Sequence, residues 1–338
     1  MNKLGVALVG CGFIGNVHLQ QWKSIEDVDV KACVDVEEER AKELSKKYKV
    51  PMYYTSIEGI LKDNSIDVVD VCTPTYTHRE IVEALLESGK NVVVEKPISL
   101  KLRDAKIMVE KAKKSGRKLM VAHVLRFWNE YVIAHELINE GKVGTPIFAR
   151  AHRLSAFPSW VWKNWHDFID KGGGVLIDMS IHDLDFLRWT FGDVQEVFAR
   201  GGTFLRKGAT SHDFTDAFIK FKNGMLAYVE GSWIMPTTFP FSTEFEAIGS
   251  NGSISFTSSA PNEVVFYQKD KPTQKISRKT EDPYLLELKA FKDAVKNDKE
   301  VPVPGEEGLK TLEVALAGLL SVMKGKPIKL PLEEDFPF

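Results

Sequence analysis

Short apolar runs alternate with polar stretches of helical length through the first third of the chain. Residues 4–9 (LGVALV), 28–35 (VDVKACVD), 68–74 (VVDVCTP), 91–97 (NVVVEKP) and 118–123 (KLMVAH) are short and mostly apolar, bounded by glycine, proline or charge. Such runs predict strands buried on both faces of a parallel sheet. Residues 14–23, 37–48, 56–63, 76–88 and 102–115 lie between them with a helical pattern, and Gly89 and Gly116 close the last two. Strand and helix in strict alternation predict a sheet covered by helices on both sides.

The rhythm changes after residue 123. Helices are predicted at 130–140 and 175–190, and a longer strand at 145–154. Alternating strands then dominate, at 194–204, 214–221, 225–234, 243–249, 253–256 and 263–268. Two of the turns, Lys222-Asn223-Gly224 and Ser250-Asn251-Gly252, have hairpin chemistry. Helices at 284–297 and 306–323 end the pattern. The reading is an α/β protein with a doubly wound, Rossmann-type domain over residues 1–123. An α+β domain with a large, mostly antiparallel sheet follows over 124–338.

Composition narrows the partners. With 338 residues, two cores are the natural division. The 45 basic and 47 acidic residues nearly cancel, so nothing attracts nucleic acid or an anionic membrane surface. No apolar run reaches the length of a membrane span. Lys3 and the apolar run after it resemble a secretory signal, but Gly5, Gly10, Gly12 and Gly15 interrupt the run. Cys11, Cys33 and Cys72 form no disulfide framework; each sits in or beside a strand-like run and reads as a buried thiol. The expectation is a cytoplasmic protein.

The first strand runs into Gly10-Cys11-Gly12-Phe13-Ile14-Gly15, a GxGxxG turn opening a helix. In that context Gly10 permits the tight turn, Gly12 lets the backbone approach a pyrophosphate, and Gly15 lets helix and strand pack closely. The helix N-terminus offers free N–H groups to the phosphates. Asp35, 20 residues past Gly15 at the end of the second strand, suits a ribose diol. It would repel a 2′-phosphate, which favours NAD over NADP. Gly10, Gly12, Phe13, Ile14, Gly15 and Asp35 are the first candidate cofactor contacts. Thr73, Pro74, His78, Glu95 and Lys96 join them, because they lie at or just beyond the C-terminal ends of later strands, where open parallel sheets bind ligands.

Two groups of residues carry candidate acid–base chemistry. Lys96, between an apolar strand and a proline, is either a partly desolvated donor toward a substrate hydroxyl or a surface lysine that ends a strand. Asp178 and His182 stand four apart on a predicted helix that is otherwise apolar, after the glycines at 172–174. His182 suits a general base, with Asp178 orienting the substrate or the imidazole. The alternatives are a satisfied core histidine with a helix-internal carboxylate, or a metal site drawing on His152, His166, Asp178 and His182. No metal-ligand spacing accompanies those four, so no metal is expected.

With these residues placed, the chain resembles the glucose–fructose oxidoreductase, inositol dehydrogenase and rhizopine catabolism (Gfo/Idh/MocA) family over nearly its whole length. The marks are VGCGFIG (9–15), CTPTYTH (72–78), EKPISL (95–100) and GGGVLIDMSIHDLD (172–185), in that order. The resemblance implies an NAD-dependent dehydrogenase acting on a sugar or polyol, with Lys96, Asp178 and His182 as the catalytic set. The family often has glycine two residues after the aspartate; here it is Ser180, and DMSIHD is closer to the inositol dehydrogenase branch. Arg126, Tyr131 and His152 or Arg153 are implied on the substrate side. A homodimer or homotetramer through the second-domain sheet is implied as well. Trp160, Trp162 and Trp165 depart from the pattern, either stacking on a sugar face, covering the nicotinamide or packing in a loop. Two rival activities also fit a relative of this family: a glycosidase that recycles a bound NAD, and a cofactor-bound sensor without turnover.

Overall fold

The computed structural model describes residues 3–333 and 335–338. The chain begins with β1 (Leu4–Val9), α1 (Phe13–Ser24), β2 (Val28–Val34), α2 (Glu38–Tyr48), β3 (Met52–Tyr54), α3 (Glu58–Leu61) and β4 (Val68–Val71). It continues through α4 (His78–Glu87), β5 (Asn91–Glu95), α5 (Leu102–Ser115) and β6 (Leu119–Ala122). The six strands pair in parallel in the order β3-β2-β1-β4-β5-β6, the arrangement of dinucleotide-binding sheets. Every residue of β1, β4 and β6 is buried, which is why these strands are almost wholly apolar. Asp70, in the middle of β4, is the exception in chemistry and is still fully buried. The pattern missed β3, whose Met52 and Tyr53 are exposed at the sheet edge.

A second set of elements follows: α6 (Asn129–Asn139), β7 (Pro146–Leu154), α7 (Ile169–Gly172), α8 (Gly174–Asp178), α9 (Ile181–Phe191), β8 (Val194–Gly202), β9 (Phe214–Phe221) and β10 (Leu226–Ser232). Next come β11 (Ser242–Gly249), β12 (Gly252–Thr257), β13 (Val264–Gln268) and β14 (Gln274–Ile276). After α10 (Pro283–Lys296) and α11 (Gly305–Lys324), β15 (Ile328–Lys329) is the last strand. Nine strands form one sheet in the order β14-β13-β12-β11-β7-β10-β9-β8-β15. All pairs are antiparallel except β7 with β10.

The chain divides into two compact units. One runs to Val124 and takes in Glu281–Leu309; the other comprises Leu125–Thr280 and Lys310–Phe338. The sequence reading assigned everything after residue 123 to one domain, so the return of residues 281–309 is a correction. The reason is local. Asp282 caps α10 by accepting from the Tyr284 and Leu285 amides, and Pro283 sits at its first turn. Lys292 and Lys296 of α10 then pair with Asp27, and the Val121 amide donates to Val303. Periodicity identifies a helix but not the sheet it packs on.

In the second unit, alternation along the strands buries Ala149, Ala151, Ala217, Ile219, Ala227, Val229, Phe245 and Ala247. Phe198, Phe218, Tyr228, Phe148, Leu226 and Ile248 point to the other face. The small residues leave room for helices on the buried side. The predicted helix 175–190 is in fact two, α8 and α9, because the amides of both Met179 and Ser180 close onto the Val175 carbonyl. Ser180 is fully buried at this break and lies against Gly231 of β10, where a Cβ would overlap its hydroxyl. Gly231→Ala is therefore expected to destabilise the protein by about 1–3 kcal/mol. Adding Ser180→Gly should recover most of the loss in urea unfolding; no recovery would show that the contact is not the constraint.

Candidate active site

In the first unit, the glycine turn is held by two strand ends. The Gly10 amide donates to Val34, and Gly10 has φ +98°, with a Cβ position 2.5 Å from the Cys72 carbonyl oxygen. A Cβ on Gly15 would overlap the Gly10 carbonyl, so α1 rests directly on the turn. Gly12 differs: a Cβ there would meet no protein atom within 4 Å. Nothing in the fold excludes a side chain at Gly12, so its open face is where a ligand would approach. Gly12 is also the N-cap of α1 and brings no side-chain cap, leaving the Phe13 and Ile14 amides without an intrahelical acceptor. That is the donor set a pyrophosphate needs.

Asp35 stands just past β2, with Oδ2 accepting from the Cys11 amide at 2.8 Å and Oδ1 from the Glu37 amide at 2.9 Å. These bonds lock the carboxylate beside the turn while each oxygen keeps a lone pair for a ribose hydroxyl. These residues fit an NAD molecule.

The segments after β4 and β5 are tied together. The buried His78 ring places Nδ1 3.0 Å from the Pro97 carbonyl and Nε2 2.9 Å from the Thr73 carbonyl. Burial holds its pKa below the ordinary histidine value against the two carbonyls, which favour protonation. His78 is thus buried between the two loops, where a neutral ring donates to one of the two carbonyls. Glu95 is also engaged inside the unit. Its side chain is turned inward, with Oε1 3.2 Å from His18 Nε2 and Oε2 accepting the Lys96 amide at 3.0 Å. Thr73, Pro74 and Lys96 are half-buried at the strand ends.

His18 escaped the sequence reading. It lies on the buried face of α1 with Gly15, Leu19 and Trp22, and that spacing was the available signal. Its Nδ1 is 2.9 Å from Asp70 Oδ2, to which Trp22 Nε1 also donates at 2.7 Å. Burial alone would lower the His18 pKa, but its neighbours Cys72 and Asp70 hold it well above the ordinary value. Burial pushes the Cys72 thiol up, against the pull of the His18 ring beside it.

In the second unit, Gly173 and Gly174 adopt φ of +72° and +73°, which turns the chain from α7 into α8. From Gly172 to Arg188 every residue is buried except Asp178 and His182. The two polar side chains open from an otherwise closed run, although the break at Met179 and Ser180 removes the continuous helix that was to stack them. Asp178 Oδ2 is 3.9 Å from Nε2 of His166, a buried ring set between Trp165 and Trp233 at centroid distances of 3.9 and 5.4 Å. His166 entered the sequence reading only as a metal ligand.

The expected substrate-side residues fare differently. Arg126 donates through Nε and Nη2 to Asp185, both at 2.8 Å, and its side chain is 8% exposed. Arg153 is buried and bonded to Asp183 and to the Tyr131 hydroxyl. Both arginines are held in internal ion pairs. His152 precedes Arg153 on β7, so it points to the opposite face of the sheet, where its Nε2 is 3.6 Å from Glu244. Trp160 is 69% exposed, and Trp162 and Trp165 are half-buried.

The sheet order, the open glycine turn and Asp35 define a dinucleotide-binding unit. Residues 4–123 match the model of an oxidoreductase family with an NAD-binding Rossmann fold, and residues 131–255 match the GFO/IDH/MocA C-terminal domain. The chain is 30% identical to a myo-inositol 2-dehydrogenase of Thermotoga maritima, over 96% of this chain and 98% of that protein. It is 28% identical to an NAD⁺-dependent scyllo-inositol 2-dehydrogenase of Bacillus subtilis, covering 98% and 97%. An oxidoreductase domain protein from Kribbella flavida superposes with a TM-score of 0.91 at 25% identity, covering 98% of this chain and all of that one. The protein belongs to the GFO/IDH/MocA family of NAD-binding oxidoreductases.

The two glycines of the turn should separate experimentally. Gly10→Ala meets both a left-handed φ and the Cys72 carbonyl, and should cost at least about 1–2 kcal/mol of stability. Gly12→Ala should leave the melting temperature nearly unchanged and weaken NADH roughly tenfold in a fluorescence titration. Equal NADH affinity in Gly12→Ala and wild type would remove the turn from the cofactor site.

Proposed function

We propose that the protein interconverts a ring hydroxyl of a sugar or cyclic polyol and its carbonyl, with NAD as the hydride partner. The carrying observation is the Asp178–His182 pair, opening from a run that is otherwise buried, in a chain whose first unit fits NAD. The inositol dehydrogenases among its relatives support the substrate class. His182 takes the hydroxyl proton, since imidazole titrates near neutrality. Lys96 donates a hydrogen bond to the same oxygen and stabilises the negative charge that builds as the proton leaves. Asp178, steadied by His166, accepts from a substrate hydroxyl and fixes the ring's orientation. Bound NAD supplies the hydride acceptor. Gly10, Gly12, Phe13, Ile14, Gly15 and Asp35 hold it, with Thr73 and Pro74 at the neighbouring strand end.

The test is NADH formation against a panel of polyols and aldoses, with NAD and NADP in parallel. His182→Ala should lower kcat by roughly 10²–10⁴-fold while NADH still binds. Undiminished turnover in that variant removes His182 from the chemistry. Release of sugar from a glycoside without net NADH would replace the reading with that of a hydrolase that recycles its hydride. Asp35→Ser combined with Val36→Arg should shift kcat/KM toward NADP by roughly tenfold or more.

The same reading extends to assembly. On the open face of the nine-stranded sheet, Phe198, Phe218 and Tyr228 lie opposite one another on β8, β9 and β10, and Leu226, Phe148 and Ile248 do so on β10, β7 and β11. Phe218 is 50% and Leu226 49% exposed. An apolar patch of this kind marks an interaction surface, and a second copy of the chain would present the same patch to it. Sedimentation should give a dimer or tetramer, and Phe218→Glu with Leu226→Glu should shift it toward monomer. A monomeric wild type would overturn this assignment. The three buried thiols suit a reducing compartment, and we place the protein in the cytoplasm.

A further inference from the structure

We infer that His18 is a positioning residue for Lys96, acting through Glu95. The inference rests on the reading that Lys96 touches the reacting hydroxyl, and it names what holds that lysine in place.

The argument starts from burial. His18 and Asp70 are both fully buried, and Glu95 is 8% exposed. A charged group in such surroundings persists only with partners. His18 Nδ1–H donates to Asp70 at 2.9 Å, and the opposite nitrogen forms an ion pair with Glu95 at 3.2 Å. An imidazolium donates to Asp70 and compensates Glu95 by charge at ion-pair distance, without an aligned hydrogen bond; a neutral ring leaves one carboxylate facing a lone pair. Asp70 is the fixed end, embedded in β4 and bonded also to Trp22 Nε1 and, at 3.3 Å, to Cys72 Sγ. Glu95 is the free end. Its second oxygen accepts the Lys96 amide at 3.0 Å. The chain of contacts runs from the centre of the sheet through α1 to the main chain of Lys96, at the point where β5 stops and the loop begins.

Asp70, Cys72 and His18 also form the one group of three metal-capable side chains found among the described residues, with donor atoms within 4.8 Å of one another. A metal there would have to displace the proton between Nδ1 and Asp70.

Amide hydrogen exchange reads the link directly. In the full-length protein the Lys96 amide should exchange slowly. In His18→Gln and in Glu95→Gln it should exchange roughly tenfold faster or more, relative to Val93 and Val94 of the same strand. The double variant should be no faster than the faster single one, because both remove the same link. With a substrate from the panel, kcat should fall in both variants while NADH affinity barely moves. Acceleration shared equally by Val93 and Val94 would mean general loosening, and an unchanged Lys96 amide would break the link; either overturns the inference. One equivalent of zinc in the purified protein would also overturn it. Should His18→Gln fail to fold, Glu95→Gln tests the same bond. If no polyol or sugar is turned over, the catalytic reading of Lys96 fails, while the exchange data still decide whether His18 positions it.

Discussion

Gly15 packs against the carbonyl of Gly10 so closely that one methyl group would not fit. This contact seats α1 on the end of β1, and much of the first unit follows from it. The seated helix aims its uncapped first turn at the face left open by Gly12. It also brings His18 and Trp22 down onto Asp70, a carboxylate that the middle of a buried strand could not otherwise carry. The turn that admits a pyrophosphate and the network beneath the β5 loop are two ends of the same helix.

The second unit meets a comparable problem differently. Its sheet lines the buried face with alanine, glycine and a few large side chains, so helices approach closely. Ser180 sits against Gly231 where the chain breaks from α8 into α9. On either side of that break, Asp178 and His182 are the two positions that stay partly open. The surrounding arginines are drawn into ion pairs with Asp183 and Asp185, which keeps those buried carboxylates compensated.

The parallel strands, the glycine turn and Asp35 were legible because each follows from local rules: a period, a backbone conformation, a fixed offset. The Asp178 and His182 pair was legible because two polar residues in an apolar run need a reason. The partners of His78, Glu95, Arg126 and His152 were not legible, because a motif says that a residue lies near a site without saying which way its side chain points. His78 and Glu95 turn inward to hold loops, Arg126 is taken by Asp185, and the strand alternation of β7 sends His152 to the far face.

By itself, then, the sequence determined the order of elements, the dinucleotide turn and the residue types available for proton transfer, since these depend on neighbours a few positions apart. Tertiary structure alone decided that residues 281–309 return to the first unit and that helix 175–190 breaks in two. It also decided that a histidine in α1 reaches Glu95, 77 residues further along. Those outcomes depend on which groups must share a buried space, and long-range burial leaves no periodic mark on the chain.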